Sequence, residues 1–241
     1  TIASAVPAGA SGRTSRRCSG IVAARIPLHL QHRLSMSLSA SPPEFLPADP
    51  DTVVHDTIRW LERAVIGLNL CPFAKGVHTK GQIHYVVSKA TDGRELLQEL
   101  ERELEALAEI SPEKRDTTLL IAPGCFESFF AFNDFLELVD RLIDALDLGG
   151  TLQVASFHPQ FQFEGTAVDD VTNCTNRAPY PTLHLLREDS IDQAVQAFPE
   201  AETIYERNMQ VLQEMGMEGW QALDVGGRCP VAHAASARDK P

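Results

Sequence analysis

The sequence predicts an α/β fold: a single domain with a mostly parallel sheet of about four strands flanked by helices. Apolar stripes at helical spacing alternate along the chain with short β-branched or apolar runs. Strands that alternate with helices, without an internal repeat, are typical of a parallel sheet with right-handed crossovers. An apolar content of 44% in 241 residues is enough for a substantial core.

The first predicted helix follows Asp51. Its amphipathic stripe repeats at spacings of four and three residues and consists of Val54, Ile58, Leu61, Val65 and Leu68. Asn69 and Pro72 end this helix. Residues 82–88 (QIHYVVS) are β-branched and aromatic, which predicts the first strand.

The second predicted helix begins at Asp92, which forms a capping-box pattern with Glu95. Its apolar face comprises Leu97, Leu100, Leu104 and Leu107. Residues 117–122 (TTLLIA) form a continuous apolar run, which predicts a strand covered on both faces. The next helix ends at Gly149-Gly150 and carries Phe135, Val139, Leu142 and Leu146 on one face.

Residues 152–156 and 182–187 predict the third and fourth strands. Ser190 with Gln193 resembles another capping box and predicts the start of a short helix. The last predicted helix carries Ile204, Val211 and Met215. The predicted order is therefore α, then β-α-β-α-β, a long loop, a strand and two helices.

The two ends of the chain lack this pattern. We predict a disordered or non-native leader over residues 1–50, a single domain over 51–223 and a flexible tail over 224–241. The first 35 residues are rich in Ala, Ser and Arg and contain no acid. They resemble an organelle transit peptide, but translated upstream sequence before a true start at Met36 is the preferred interpretation.

Charge and cysteine usage restrict the function classes. The net charge is −12 although the first 35 residues hold five arginines, so the body is strongly acidic and is not expected to bind nucleic acid or anionic membranes. No apolar run is long enough to span a bilayer. The five cysteines are far apart and odd in number, which favours a reducing, cytoplasmic location over a disulfide framework.

The most informative segment is the 25-residue stretch from Phe157 to Pro181, FHPQFQFEGTAVDDVTNCTNRAPYP. It has no helical or strand period, and irregular connections this long are uncommon in compact domains unless they are functional or disordered. The loop leaves the carboxyl end of the third predicted strand, where ligands bind in open α/β sheets. We therefore predict the functional site here.

Four blocks of the sequence resemble a known family: residues 60–74 (WLERAVIGLNLCPFA), 116–123 (DTTLLIAP), 152–188 and 206–216 (ERNMQVLQEMG). Together they resemble the bacterial family called domain of unknown function 1415, over roughly residues 51–223. The FHP and TNRAPYPTLHLLRE sequences are its most specific parts. The resemblance implies a single cytoplasmic domain beginning near Met36. It implies no activity, so no residue role is taken from it.

Three loop residues are candidate catalytic groups. His158 follows the third strand and has the chemistry of a general acid or base, or alternatively of a loop histidine bonded to backbone. Asp169, beside Asp170, could orient the imidazole or remain a solvated loop acid. Cys174 could be a nucleophile beside Arg177 or a small buried apolar residue.

Three further loop residues are candidate substrate contacts. Arg177 could present its planar fork to a carboxylate or phosphate, or form an internal ion pair that holds the loop. Asn176 and Tyr180 flank it and offer hydrogen bonds. His84 and His184 lie inside predicted strands and are interpreted as structural, and Cys71 as core filling beside Phe73.

No cofactor is predicted. A metal ion held by His158, Cys174 and an aspartate is chemically reasonable, but no pair has the spacing of a zinc motif. Gly-rich phosphate loops and the G-x-S-x-G pattern of hydrolases are both missing from the sequence.

Two functions remain open at this level. The first is a small-molecule enzyme, a hydrolase or group transferase, that binds an anionic ligand at the 157–181 loop. The second is a non-catalytic binding or regulatory protein whose loop is structural or presents Phe161, Phe163 and Tyr180 to a partner. The oligomeric state is not predicted. If His158 and Arg177 act together, their side chains must converge on one pocket.

Overall fold

The structure is a computed structural model that describes residues 49–197 and 203–226. The predicted leader (1–50) lies outside the described residues except for residues 49 and 50. The predicted tail (224–241) lies outside them except for residues 224–226. One of these residues, Val225, is buried and packs against the cluster that contains Trp60 and Trp220.

The helices and strands follow the predicted order, with one additional short helix before the first strand. The α-helices are α1 (Pro50–Trp60), α2 (Ala74–Thr79), α3 (Gly93–Glu109), α4 (Phe129–Ala145), α5 (Glu188–Ala197) and α6 (Ile204–Ala222). A π-helical segment, Leu61–Ile66, continues α1, and a 3-10 helix, Val171–Asn176, lies in the long loop. The strands are β1 (Ile83–Val87), β2 (Thr117–Ile121), β3 (Leu152–Phe157) and β4 (Thr182–Arg187). Within residues 49–197 and 203–226, no helix is both long and apolar enough to cross a bilayer.

The four strands form one mixed sheet in the order β1-β2-β4-β3. β1 and β2 are parallel, whereas β4 is antiparallel to both β2 and β3. The predicted α/β sheet of about four strands is thus confirmed, with three strands running one way and β4 the other. The chain does not cross the sheet after β3. It turns back along the same edge, and a return of this kind produces an antiparallel neighbour.

One face of the sheet is covered by α3 and α4. Leu120, Leu183 and Leu185 of the central strands point to this face and pack against a set of fully buried helix leucines and phenylalanines, among them Leu96, Leu100, Leu104 and Phe132. Since side chains alternate along a strand, the neighbouring residues Leu119, Thr182 and His184 point to the other face.

The second face is covered by α1 with its π-helical extension and by α6. Trp60, Leu61, Leu212 and Trp220 form a cluster there with Cys174 of the 3-10 helix. The long loop is therefore packed into the body of the protein by its own 3-10 helix.

The two predicted capping boxes have different outcomes. Asp92 caps α3, since its Oδ1 accepts from the Glu95 N–H at 2.8 Å, so this prediction is confirmed. The prediction for Ser190 is wrong. α5 begins at Glu188, and the Ser190 hydroxyl donates instead to Oδ1 of Asp116 at 2.6 Å.

Candidate functional site

The long loop lies at the edge of the sheet where β1, β2 and β3 end. It leaves β3 after Phe157 and enters β4 at Thr182, and these two residues are register partners. Since β4 runs opposite to its neighbours, its amino end lies at the carboxyl edge of the other strands. The loop thus occupies the edge that the sequence predicts for a ligand site.

His158 is only 2% exposed, and both of its ring nitrogens are bonded to backbone. Nε2 donates to the Phe126 carbonyl at 2.8 Å, and Nδ1 accepts from the Gln160 N–H at 3.0 Å. The ring lies between Phe129 and Phe132. Burial lowers the pKa of His158, partly opposed by the bond to the Phe126 carbonyl, and this favours the neutral ring. These bonds correspond to the structural alternative, and a catalytic role for His158 stays a prediction.

Arg177 is 4% exposed and is directed into its own loop. Nε donates to the Phe161 carbonyl at 3.1 Å and Nη2 to the Val168 carbonyl at 2.7 Å. A guanidinium used in this way satisfies backbone acceptors that an irregular segment cannot pair with itself. Arg177 therefore organises the loop from inside.

The other predicted site residues do not gather around His158. Asp169 is exposed, and Cys174 is 0% exposed within the tryptophan cluster of the second face. The Tyr180 hydroxyl donates to Oδ2 of Asp56 at 2.9 Å. Burial and this carboxylate raise the pKa of Tyr180 to about 12. Asn176 lies elsewhere, on the wall of a cavity.

This cavity has a volume of about 440 Å³ and lies on the second face of the sheet. Its floor contains Leu119, Ala155, Phe157 and His184, and its walls come from the π-helical segment, residues 70–77, the long loop, α5 and α6. We call it the sheet-face cavity. Most of its lining is apolar, with a small number of polar side chains, as is typical of small-molecule sites.

His184 lies at the centre of the cavity floor. It is the register partner of Leu119 on β2 and of Ala155 on β3, and its ring contacts that of Phe157 at a centroid distance of 6.2 Å. Among the described residues, neither ring nitrogen has a hydrogen-bond partner. Burial lowers the pKa of His184 to about 4, so the ring is neutral at physiological pH and can both donate and accept.

Two asparagines add amide groups to the cavity walls. Asn176 is 7% exposed, and its side-chain amide has no hydrogen-bond partner among residues 49–197 and 203–226. Asn208 of α6 is 4% exposed and donates from Nδ2 to the Leu70 carbonyl at 2.8 Å. Because the Leu70 carbonyl can only accept, the atom bonded to it is the amide nitrogen of Asn208. The amide oxygen, Oδ1, is buried without a hydrogen-bond partner among the described residues.

Cys71 contributes a free thiol to the cavity wall. Burial raises its pKa, while the backbone N–H groups of Phe73 and Ala74 act in the opposite direction. The sequence interpretation of Cys71 as core filling is thus incomplete, since the residue borders open space.

Metal ligation finds no support in the part of the chain that the structure describes. No group of three or more His, Cys, Asp or Glu side chains there is placed to hold a metal ion. His158, Cys174 and the loop aspartates in particular do not form such a group.

Sequence reasoning missed His184 and Asn208, although a signal for both exists. His184 lies between Leu183 and Leu185 in the fourth strand. It is therefore a polar residue on the strand face opposite to these two leucines. Asn208 lies four residues after Ile204 and four before Leu212, on the buried stripe of its helix. A polar residue at a core position requires a partner, and here the described residues do not fully provide one.

The internal role of Arg177 can be tested by Arg177→Met. The change keeps much of the stem and leaves the Phe161 and Val168 carbonyls unpaired, so we expect the free energy of unfolding to fall by about 2–4 kcal/mol. Urea denaturation measures it. Arg141→Met is the matched control, since Arg141 is exposed and faces Glu137 at 3.9 Å. Equal stability of the two variants would contradict the internal role.

The burial of His184 makes the free energy of unfolding depend on pH. Its pKa is about 4 in the folded protein against an ordinary 6.5, so between these values the unfolded chain binds the extra proton. Stability is therefore lost as pH falls from 6.5 towards 4. In His184→Phe we expect the pH dependence of the unfolding free energy to flatten there by up to about 1.4 kcal/mol per pH unit. Denaturation series across pH measure it, and identical slopes for the two proteins would refute the burial argument.

Comparison with known proteins identifies one relationship. The model of the family described as protein of unknown function (DUF1415) matches residues 52–222, which is most of the chain and contains all four sequence blocks noted above. Comparison with curated proteins and with solved structures finds no match. Since the family model covers well over half of the chain, this protein belongs to the DUF1415 family.

Proposed function

We propose that this protein binds a small organic molecule in the sheet-face cavity. The observation that carries the proposal is a mostly apolar cavity of about 440 Å³ in which a neutral, unbonded His184 forms part of the floor. A concave, mostly apolar space with a few polar side chains is the usual form of a ligand site. A polar side chain left without a protein partner in such a space is costly unless a ligand or water satisfies it.

The proposal keeps the predicted location of the site and changes its contacts. Phe163, Thr175 and Asn176 of the 157–181 loop line the cavity, so the loop contributes a wall. His158 and Arg177 do not line the cavity and bond instead to loop backbone, at the Gln160 N–H and the Phe161 carbonyl.

The alternative of a partner-binding loop has less support. It requires Phe161, Phe163 and Tyr180 to be presented at the surface, but Phe161 and Phe163 are buried and pack against each other at a centroid distance of 4.9 Å. The Tyr180 hydroxyl is bonded to Asp56.

Binding can be tested with N-phenyl-1-naphthylamine, a neutral dye whose fluorescence rises in apolar surroundings. We expect saturable binding to one site per chain. Ala155→Leu adds a branched side chain to the cavity floor, so it should weaken binding at least about 10-fold. Val154→Leu is the matched control, since Val154 is the preceding residue of β3 and packs on the opposite face. Unsaturable binding, or equal affinity in both variants, would refute the proposed site.

Catalysis at Cys71 is a second candidate function, favoured by the position of this thiol in the cavity wall. Hydrolysis or group transfer, the reactions that the sequence favours, would then use Cys71 as nucleophile in place of Cys174, which is fully buried. The N–H groups of Phe73 and Ala74, which lower the thiol pKa, would also favour a developing negative charge on sulfur.

Alkylation by N-ethylmaleimide tests whether Cys71 faces the same cavity. Because burial raises the thiol pKa, we expect slow modification at pH 7 and a rate that is still increasing at pH 9. Saturating dye should slow it at least about 10-fold, while buried Cys125 and Cys174 remain unmodified in the folded protein. Peptide mass mapping assigns the sites. An unchanged rate at Cys71 in the presence of dye would place the thiol outside the ligand site.

A further inference from the structure

The polar groups of the sheet-face cavity indicate what kind of ligand it takes. Asn176 presents a carboxamide without a partner among the described residues, and Asn208 contributes a buried Oδ1 acceptor that is also unpaired. Both residues are more than nine-tenths buried. Asn176 belongs to the long loop and Asn208 to α6, so two separate elements each add an asparagine to the lining.

A carboxamide carries one N–H donor group and one carbonyl acceptor side by side. Its best partner has the same pair in the reverse order, as in a primary amide or a lactam ring. The Asn208 Oδ1 is closed off within the wall, so the Asn176 carboxamide carries this requirement. The requirement is met by a ligand with at least one N–H group beside a carbonyl.

Aromatic side chains also contribute to the lining of the cavity. Trp60, Phe157 and Tyr205 all line it, and the Trp60 and Phe157 rings pack edge to face at a centroid distance of 5.2 Å. Aromatic rings in a lining favour ligands that contain a ring, because ring packing adds to the free energy of apolar burial.

The charges near the cavity argue against an anion. Lys80 is exposed, and Arg187 lines the cavity with its guanidinium directed to the end of α3, where Nη2 donates to the Leu107 carbonyl at 2.6 Å. The Nε of Arg187, unpaired among the described residues, is buried in the protein, and Asp116 adds a carboxylate to the lining. A carboxylate or phosphate would therefore meet a cation that is already engaged by backbone and a carboxylate that repels it.

We infer that the ligand is a neutral planar ring with an adjacent N–H donor and carbonyl acceptor, bound through the side chain of Asn176. This inference rests on the proposed function, since it names the chemical class that the sheet-face cavity takes. It replaces the anionic ligand that the sequence predicts at Arg177.

Three probes of similar shape separate the possibilities: benzamide carries the amide, benzoate the charge and toluene neither. At pH 7.5 we expect benzamide to bind at least about 10-fold more tightly than benzoate, as measured by NMR chemical-shift titration of the full chain. Asn176→Leu should weaken benzamide about 10-fold and change toluene affinity less than about 2-fold.

Asn133→Leu is the matched control. Asn133 of α4 is also buried with an unpaired Oδ1, but it does not line the cavity. Its replacement should leave the affinities of all three probes unchanged. If Asn176→Leu fails to fold, Asn176→Ala removes the whole carboxamide without adding bulk or charge, and it should likewise weaken benzamide about 10-fold while changing toluene affinity less than about 2-fold.

The outcomes distinguish the two levels of the proposal. Benzoate binding as tightly as benzamide, or equal effects of the Asn176 and Asn133 variants, would overturn the amide assignment while toluene binding would still support the cavity as a ligand site. Failure of all three probes, together with failure of the naphthylamine dye, would overturn the ligand site and the amide assignment with it.

Discussion

The insertion of β4 between β2 and β3 is the constraint on which the rest of the structure depends. Because β4 is antiparallel to both neighbours, the chain must enter it from the carboxyl edge of the other strands. The 157–181 loop is therefore confined to that edge. The alternation of side chains along β4 then directs Leu183 and Leu185 to the α3–α4 layer and His184 to the cavity.

Burial explains why so many polar residues of the loop serve structure. A long segment without regular secondary structure cannot pair its own backbone groups, and inside a protein each unpaired group is costly. His158, Asn173 and Arg177 therefore bond to backbone at Phe126, Phe163 and Phe161, in that order. The reactive composition that indicates a site is largely the composition required to pack the loop, and the groups that we propose for a ligand are those without such partners.

The local sequence pattern predicts the helices and strands well, but it predicts their arrangement in the sheet less well. The bounds of the fourth strand, the cap at Asp92 and the leucine face of α3 follow from period and capping chemistry. The direction of β4 does not, because a long loop returns a strand in either sense and no nearby residue decides between them. The role of Ser190 was wrong because its hydroxyl has a better partner in Asp116, which is distant in sequence. His158 and His184 could not be ranked, since burial and partners belong to the tertiary structure.

The central claim is that small molecules occupy the sheet-face cavity and no other apolar surface of the described residues. Intermolecular NOEs between the protons of bound N-phenyl-1-naphthylamine and the protein test it most directly. The account predicts NOEs to the methyl group of Ala155 and to the rings of Phe157 and His184, which form the floor. NOEs confined to Phe130 and Leu138, the exposed apolar residues of α4, would contradict it.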